Sequence, residues 1–301
     1  MKDHNEMHVR EFDAAVLPEL SCDLRTISAA MQWVRLYTAD ETIRTLACRC
    51  RLPAPQEDHL VPVARVRMEN RGSVSAPLWI VESCKARQQS RAFSYVSSAA
   101  CVIDGEVDRL RALVDSMRND YLRDFVVRAL SMEESFRWYW TCPASIRNHH
   151  CGSGGLVRHS REVAEQAAAM MKPGSIGRDY AIVAGLLHDF GKLWSYENGH
   201  LTCEADALGH EFVGLKRLRP LLEWLDESWP QGGNVMEALL CGSWKQATGG
   251  LLYTVGDAVR LQDRLSAQND GETGLGSRHR KPAVIHRLGS EHRRVRGRAA
   301  S

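Results

Sequence analysis

The sequence predicts an α+β chain in which a small β-rich domain precedes a mainly α-helical domain and a disordered basic C-terminal tail. Three observations carry this. Apolar and polar residues alternate between about 43 and 103, the apolar period becomes helical from Asp104 onward, and residues 271–301 hold eight Lys or Arg against two acidic residues without sustained apolar periodicity. At 301 residues the chain has room for two domains. Apolar residues at 44%, charged residues at 25% and a net charge of +2 are ordinary for a globular protein, so the placement of charge is more informative than its total.

Residues 1–42 read as a helical or irregular segment. Met1 to Leu20 contain no apolar stretch long enough for a signal peptide, and no later segment reaches membrane-spanning length, so a cytoplasmic protein with no membrane partner is expected. Nine cysteines, odd in number and scattered apart from Cys48 and Cys50, suggest neither a disulfide framework nor a CxxC zinc site.

The β-rich domain is placed at 43–103. Leu46, Cys48, Cys50 and Leu52 alternate with Arg49 and Arg51, and Leu60, Pro62, Ala64, Val66 and Met68 alternate with Arg65 and Arg67. Glu69 to Gly72 reads as a turn, and Leu78 to Val81 and Phe93 to Val102 as further strands, giving a partial barrel with an arginine-bearing face. Those arginines either solvate the outside of a sheet or meet RNA. The α-helical domain is placed at 104–270. Leu110, Leu113, Val114 and Met117 form one apolar stripe, and Leu122, Phe125, Val126, Ala129 and Leu130 another. Later helices are expected at about 156–171, 178–189, 208–226 and 252–268, with loops at Pro173-Gly174, Asn198-Gly199 and Pro230 to Gly233. The tail, with His279, His286 and His292 among its cations, suits polyanions or simply keeps the terminus soluble.

The chemistry concentrates in the helical domain. His188 and Asp189 end the apolar run from Ala181 to Lys192, where an adjacent imidazole and carboxylate can clamp one divalent metal. His159 shares a helix face with Val163, Ala167 and Met170, so its ring should point inward, and Asp263 lies on a helix with Leu261 and Leu265. Four inward polar groups without partners would each cost about 1–3 kcal/mol or more, which a shared cation relieves. A hydrogen-bonded core network is the competing reading. Two nitrogens and two carboxylates suit Mn, Mg, Fe, Ni, Co or Zn and leave positions open for water and phosphate. Lys192, three residues after the dyad, could reach a phosphate oxygen or complement a helix dipole. Gly154 and Gly155 precede the His159 helix, where backbone N–H groups could hold a phosphate or make an ordinary turn. Arg264, beside Asp263, is a further substrate-binding candidate.

The order His159, His188-Asp189, Asp263 resembles the HD superfamily of metal-dependent phosphohydrolases over roughly residues 120–267. It is similar to a bacterial exoribonuclease type that trims RNA from the 3′ end and carries an oligonucleotide-binding β-domain ahead of its HD domain. The stretch Pro143 to Ser160 also resembles the HD relaxases of conjugative elements, the TraI or MobH group. The resemblance implies a phosphodiesterase acting on nucleic acid or a nucleotide, with His149 and His150 in the substrate pocket as catalytic groups and His210 as a contact to a second metal. A structural role for the paired histidines stays open. The chain departs from the exoribonuclease type at Gly242-Ser243-Trp244, where that type has a His-His-Gly string, so a single-metal site, altered substrate choice or lost activity is implied. Trp244 could stack on a base or fill the core. Oligomeric state is not legible.

Overall fold

The computed structural model describes residues 9–19, 31–54, 60–73, 75–88, 91–145, 150–197 and 199–272. The first five strands are β1 (Val9–Pro18), β2 (Met31–Tyr37), β3 (Thr42–Cys48), β4 (Val63–Asn70) and β5 (Trp79–Ala86), and they close into a barrel in the order β1-β2-β3-β5-β4. All neighbours are antiparallel except β3 and β5. Ala14, Val16, Val34, Leu36, Ala47, Ala64, Val66, Met68 and Val81 point inward and fill the barrel. Alternation carries β4 as expected, with Ala64, Val66 and Met68 inside and Arg67 outside.

β1 is unlike its neighbours. Ala14 and Val16 enter the barrel core, whereas Ala15 and Leu17, on the opposite face, join the core of the helical body. Four consecutive buried residues result, because the strand is covered on both sides. Two of the five strands thus fall within 1–42, which corrects the expectation of a helical or irregular N-terminal segment and moves the start of the barrel to Val9. A second correction concerns Phe93 to Val102. Ala92–Tyr95 and Ser98–Ala100 are 3-10 turns, and the buried Phe93, Val96 and Cys101 pack on the helices.

The helical body comprises α1 (Glu106–Asp115), α2 (Asp120–Ser131), α3 (Glu133–Trp138), α4 (Gly155–Ala169), α5 (Ile176–Leu187), α6 (Lys192–Ser195), α7 (Cys203–Leu208), α8 (His210–Ser228), α9 (Pro230–Leu240) and α10 (Gly250–Glu272). A two-residue hairpin, β6 (Tyr196–Glu197) with β7 (His200–Leu201), interrupts the region read as all helical. Side-chain caps fix several starts: Asn119 accepts from Leu122 N–H, Ser175 from Arg178 and Thr202 from Ala205. Pro230 to Gly233, expected as a loop, opens α9, since proline at the first helical position gives up only an N–H that has no partner there. Gly232 and Gly233 leave room for Trp229 and Asp226, whose atoms would lie 2.1 Å from a Cβ at either position.

Barrel and helices share contacts at Leu60 with Met132, Val61 N–H with the Ser131 carbonyl (2.9 Å), and Tyr37 edge-on to Phe136 (4.9 Å). α10 extends to Glu272, two residues into the segment read as tail. Residues 273–301, and with them the expectation of a disordered basic tail, lie outside the described residues. Among the described residues no helix is long and apolar enough to cross a membrane.

Candidate metal centre

Three helical elements bring the site together. α4 carries His159 in its second turn, fully buried. The end of α5 presents His188 and Asp189, and α10 supplies Asp263. Tight packing sets the spacing: α5 lies so close to α4 that a Cβ on Gly185 would sit 2.5 Å from Ala164 Cα. Gly191, just after the dyad, meets α8 equally closely, and a Cβ there would be 1.8 Å from the His210 carbonyl oxygen.

One potential ligand atom from each of His159, His188, Asp189 and Asp263 lies within 4.8 Å of all the others. His159 Nε2 is 3.3 Å from Asp189 Oδ2 and 3.2 Å from Asp263 Oδ1, and His188 Nε2 is 3.4 and 3.6 Å from the same two atoms. Ligands held at about 2.0–2.2 Å from one ion, at right or tetrahedral angles, stand roughly 2.8–3.6 Å from one another. The cluster has that spacing. His188 Nδ1 is 2.8 Å from the Gly185 carbonyl, which can only accept, so Nδ1 carries a proton and Nε2 is the nitrogen turned to the cluster, where a cation would take the place of a second proton. That buried Nε2 has no hydrogen bond of good geometry, which suits a ring nitrogen able to ligate a cation. The residues present therefore fit a divalent metal.

The electrostatics agree. Burial disfavours a charged His188, yet the Asp189 and Asp263 carboxylates outweigh it and push the imidazole up to about 10. Burial likewise opposes ionisation of Asp189, but His188, Lys192 and His159 hold its carboxyl well below the usual range, and Asp263 is lowered against burial by hydrogen bonds from His159 and His188. A centre that attracts a proton so strongly attracts a cation for the same reason.

Asp189 is the hub. Its Oδ2 faces both imidazoles and accepts from Lys192 Nζ at 2.5 Å, while its Oδ1 is 3.0 Å from His210 Nε2. Lys192 is buried, and Asp189 raises its pKa against the effect of burial. Its placement makes it first the partner of Asp189 rather than a free phosphate contact. His210 has a side chain 34% exposed and Asp263 one 41% exposed, so the cluster opens to solvent on their side.

The remaining candidates divide. His150 is buried behind His159, with ring centroids 5.5 Å apart, in left-handed backbone (φ 47), and its Nε2 lies 3.4 Å from Ser266 Oγ. These contacts, with Glu162 Oε2 at 3.8 Å from its Nε2, hold the ring among His159, Ser266 and Glu162. His149 lies outside the described residues. Gly154 has φ 79, which glycine adopts without strain, and a Cβ there would meet Cys101 Sγ at 2.7 Å. Gly155 already donates its N–H to the Gly152 carbonyl at 3.0 Å, and a Cβ there would lie 1.9 Å from the His150 carbonyl oxygen. Close packing requires glycine at both positions. Arg264 is exposed on α10 beside Asp263. Trp244 is buried, edge-on to Tyr253 at 6.0 Å and pressed on Gly256, which resolves its role as core rather than a stacking surface. Two polar residues escaped sequence reasoning: Ser266, 3.1 Å from His159 Nδ1, and Glu162, 3.3 Å from Ser266 Oγ. Their only signal is register, each three residues past a cluster residue on its own helix.

Residues 156–243 match the HD domain family, a span that includes His159, His188, Asp189 and His210 and stops short of Asp263. HD domains bind divalent metals and are typical of metal-dependent phosphohydrolases, and the His/Asp cluster supplies a donor set of that kind. No curated protein and no solved structure matches the chain.

Proposed function

We propose that this HD-domain chain is a metal-dependent phosphodiesterase acting on nucleic acid, most like a 3′-end exonuclease. The observation that carries the reading is the convergence of two imidazole nitrogens and two carboxylate oxygens within 4.8 Å, open to solvent on one side. His159, His188, Asp189 and Asp263 would hold the ion, whether Mn, Mg, Fe, Ni, Co or Zn, since mixed nitrogen and oxygen donors accept each of these. When bound, such an ion supplies a water acidified toward neutral pH and Lewis acidity at the phosphoryl oxygen.

The chain's own residues do the rest. Gly185 and Gly191 fix the ligand-bearing segments, and Lys192 balances the charge of Asp189. His210, at the open side, is placed to meet a substrate phosphate or, through Asp189 Oδ1, a second cation.

The nucleic-acid part rests on the barrel. Closed five-stranded barrels of the oligonucleotide-binding kind use the face of strands 2 and 3, where this chain places Trp33, Arg35 and Arg44. The Arg44 guanidinium lies 4.3 Å from the Trp33 ring centroid. Arg35 and Arg44 share the Glu19 carboxylate, and Arg65, Arg67, Arg71 and Arg87 also face carboxylates. A base-stacking platform is thus favoured over a bare cationic surface.

One observation favours a second reading, a binding module that does not cleave or a relative of the conjugative relaxases. With Gly242-Ser243-Trp244 in place of two imidazoles, His210 has Glu211 beside it, 3.5 Å from its Nδ1, and the described residues form no second group of three or more metal ligands. The test is hydrolysis of a generic phosphodiester, single-stranded RNA and single-stranded DNA with each divalent metal, comparing wild type with Asp189→Ala. Cleavage by wild type alone supports the enzyme. Binding without cleavage under every metal favours the module, and nicking with a retained protein–DNA link favours the relaxase.

A further inference from the structure

His159 and His188 must both turn Nε2 toward the cluster, and the chain achieves this in two different ways. For His188 the acceptor at Nδ1 is a backbone carbonyl, Gly185, at 2.8 Å. For His159 it is a side chain: Ser266 Oγ, 3.1 Å from Nδ1. A hydroxyl can donate as well as accept, so Ser266 alone does not define which form of the ring it faces. Glu162 removes the ambiguity. Its Oε2 lies 3.3 Å from Ser266 Oγ, and an ionised carboxylate can only accept, so the one hydroxyl proton of Ser266 goes to Glu162. The Ser266 lone pairs then face His159 Nδ1 and, at 3.4 Å, His150 Nε2, both as acceptors. Glu162 is itself oriented by Arg158 Nε at 2.9 Å and Arg161 at 3.7 Å from its other oxygen.

We propose that Ser266 is the positioning residue that fixes His159 with its proton on Nδ1 and its Nε2 lone pair on the metal, with Glu162 setting the direction of the serine hydroxyl. The proposal rests on the metal reading of the cluster and adds to it a residue outside the four ligands. It also gives α10 a double role, since Asp263 and Ser266, one turn apart, address the same imidazole from Nε2 and Nδ1 respectively. Ser266 is half-buried between two histidines and a carboxylate.

The test titrates metal-free full-length protein with Co²⁺, following the visible absorption of the bound ion and competition with a chelator. Ser266→Ala removes the acceptor, and Ser266→Thr keeps a hydroxyl at the same place. The expected result is a rise of about 10–100-fold in the Co²⁺ dissociation constant for Ser266→Ala, with unchanged stoichiometry and an unchanged metal-free melting curve, and near wild-type affinity for Ser266→Thr. The proposal is overturned if Ser266→Ala stays within about threefold of wild type, well short of that range, or if both variants weaken binding equally, as loss of packing alone would. Failure of wild type to take up any Co²⁺ is a different result: it removes the metal reading, and this proposal with it.

Discussion

Replacing Gly185 with alanine should damage the site without touching any of its ligands. The added Cβ would lie 2.5 Å from Ala164 Cα and 2.7 Å from its N, both backbone atoms that cannot rotate away. Carbon atoms pack at roughly 3.5–4.0 Å, so α4 and α5 must separate by on the order of 1 Å. Overpacking a core costs about 1–3 kcal/mol, and a clash against backbone belongs at the upper end. Alanine returns about 1 kcal/mol of helix propensity, leaving a net loss of about 2 kcal/mol. At about 2–4 °C per kcal/mol for a domain of this size, calorimetry should find the melting midpoint lowered by about 4–8 °C. Because α4 carries His159 and α5 leads into His188 and Asp189, the same shift should weaken metal uptake. Gly152→Ala is the control: nothing lies within 4 Å of the place its methyl group would take, so its midpoint should stay within about 2 °C of wild type. A Gly185→Ala protein with wild-type midpoint and wild-type metal affinity would refute the claim that helix contact sets the ligand spacing.

Two further outcomes are expected. Glu106, buried against Arg161 at 2.6 Å, has its carboxyl held below the usual 4.5, the Arg161 and Arg109 guanidiniums outweighing burial. A lowered folded-state pKa means stabilisation that is complete above about pH 4.5 and fades as pH falls through the folded value, so Glu106→Gln should melt well below wild type at pH 7 and converge on it in acid; equal gaps at both pH values would contradict this. A metal at about 100 times its dissociation constant should add ~2.7 kcal/mol, raising the wild-type midpoint by about 5–10 °C and that of Asp189→Ala not at all, with chelator reversing the gain; identical midpoints with and without all six candidate metals would exclude a structural metal centre.

His159, His188 and Asp189 were legible because each is a polar type on an otherwise apolar helical face, where it demands a partner, whereas Asp263, with a side chain 41% exposed, was legible through the order of the HD residues. Ser266 and Glu162 were not, since serine and glutamate occur on any exposed helix, and only the approach of α10 to α4 gives them meaning. The barrel was half legible. Alternation exposed β4, but β1 reads Ala14, Ala15, Val16, Leu17 as an unbroken apolar run, since both of its faces are buried. Phe93 and Val96 have β-forming side chains at a spacing of three, and tertiary packing on α2 decided for 3-10 turns. Pro230 and the following glycines carry loop chemistry, overridden by a proline suited to a helix start.

The sharing of β1 between two cores limits how this protein can be taken apart. Ala15 and Leu17, together with Leu60, Val61 and Val63, complete the wall against which Phe93, Leu130 and Phe136 rest, and the Pro18 carbonyl accepts from Arg137 at 3.1 Å. Cut away the barrel and the helical half loses that wall, so the barrel is no cassette to be exchanged between genes. Any descendant that recruits a different N-terminal module must redesign the seam on both sides at once.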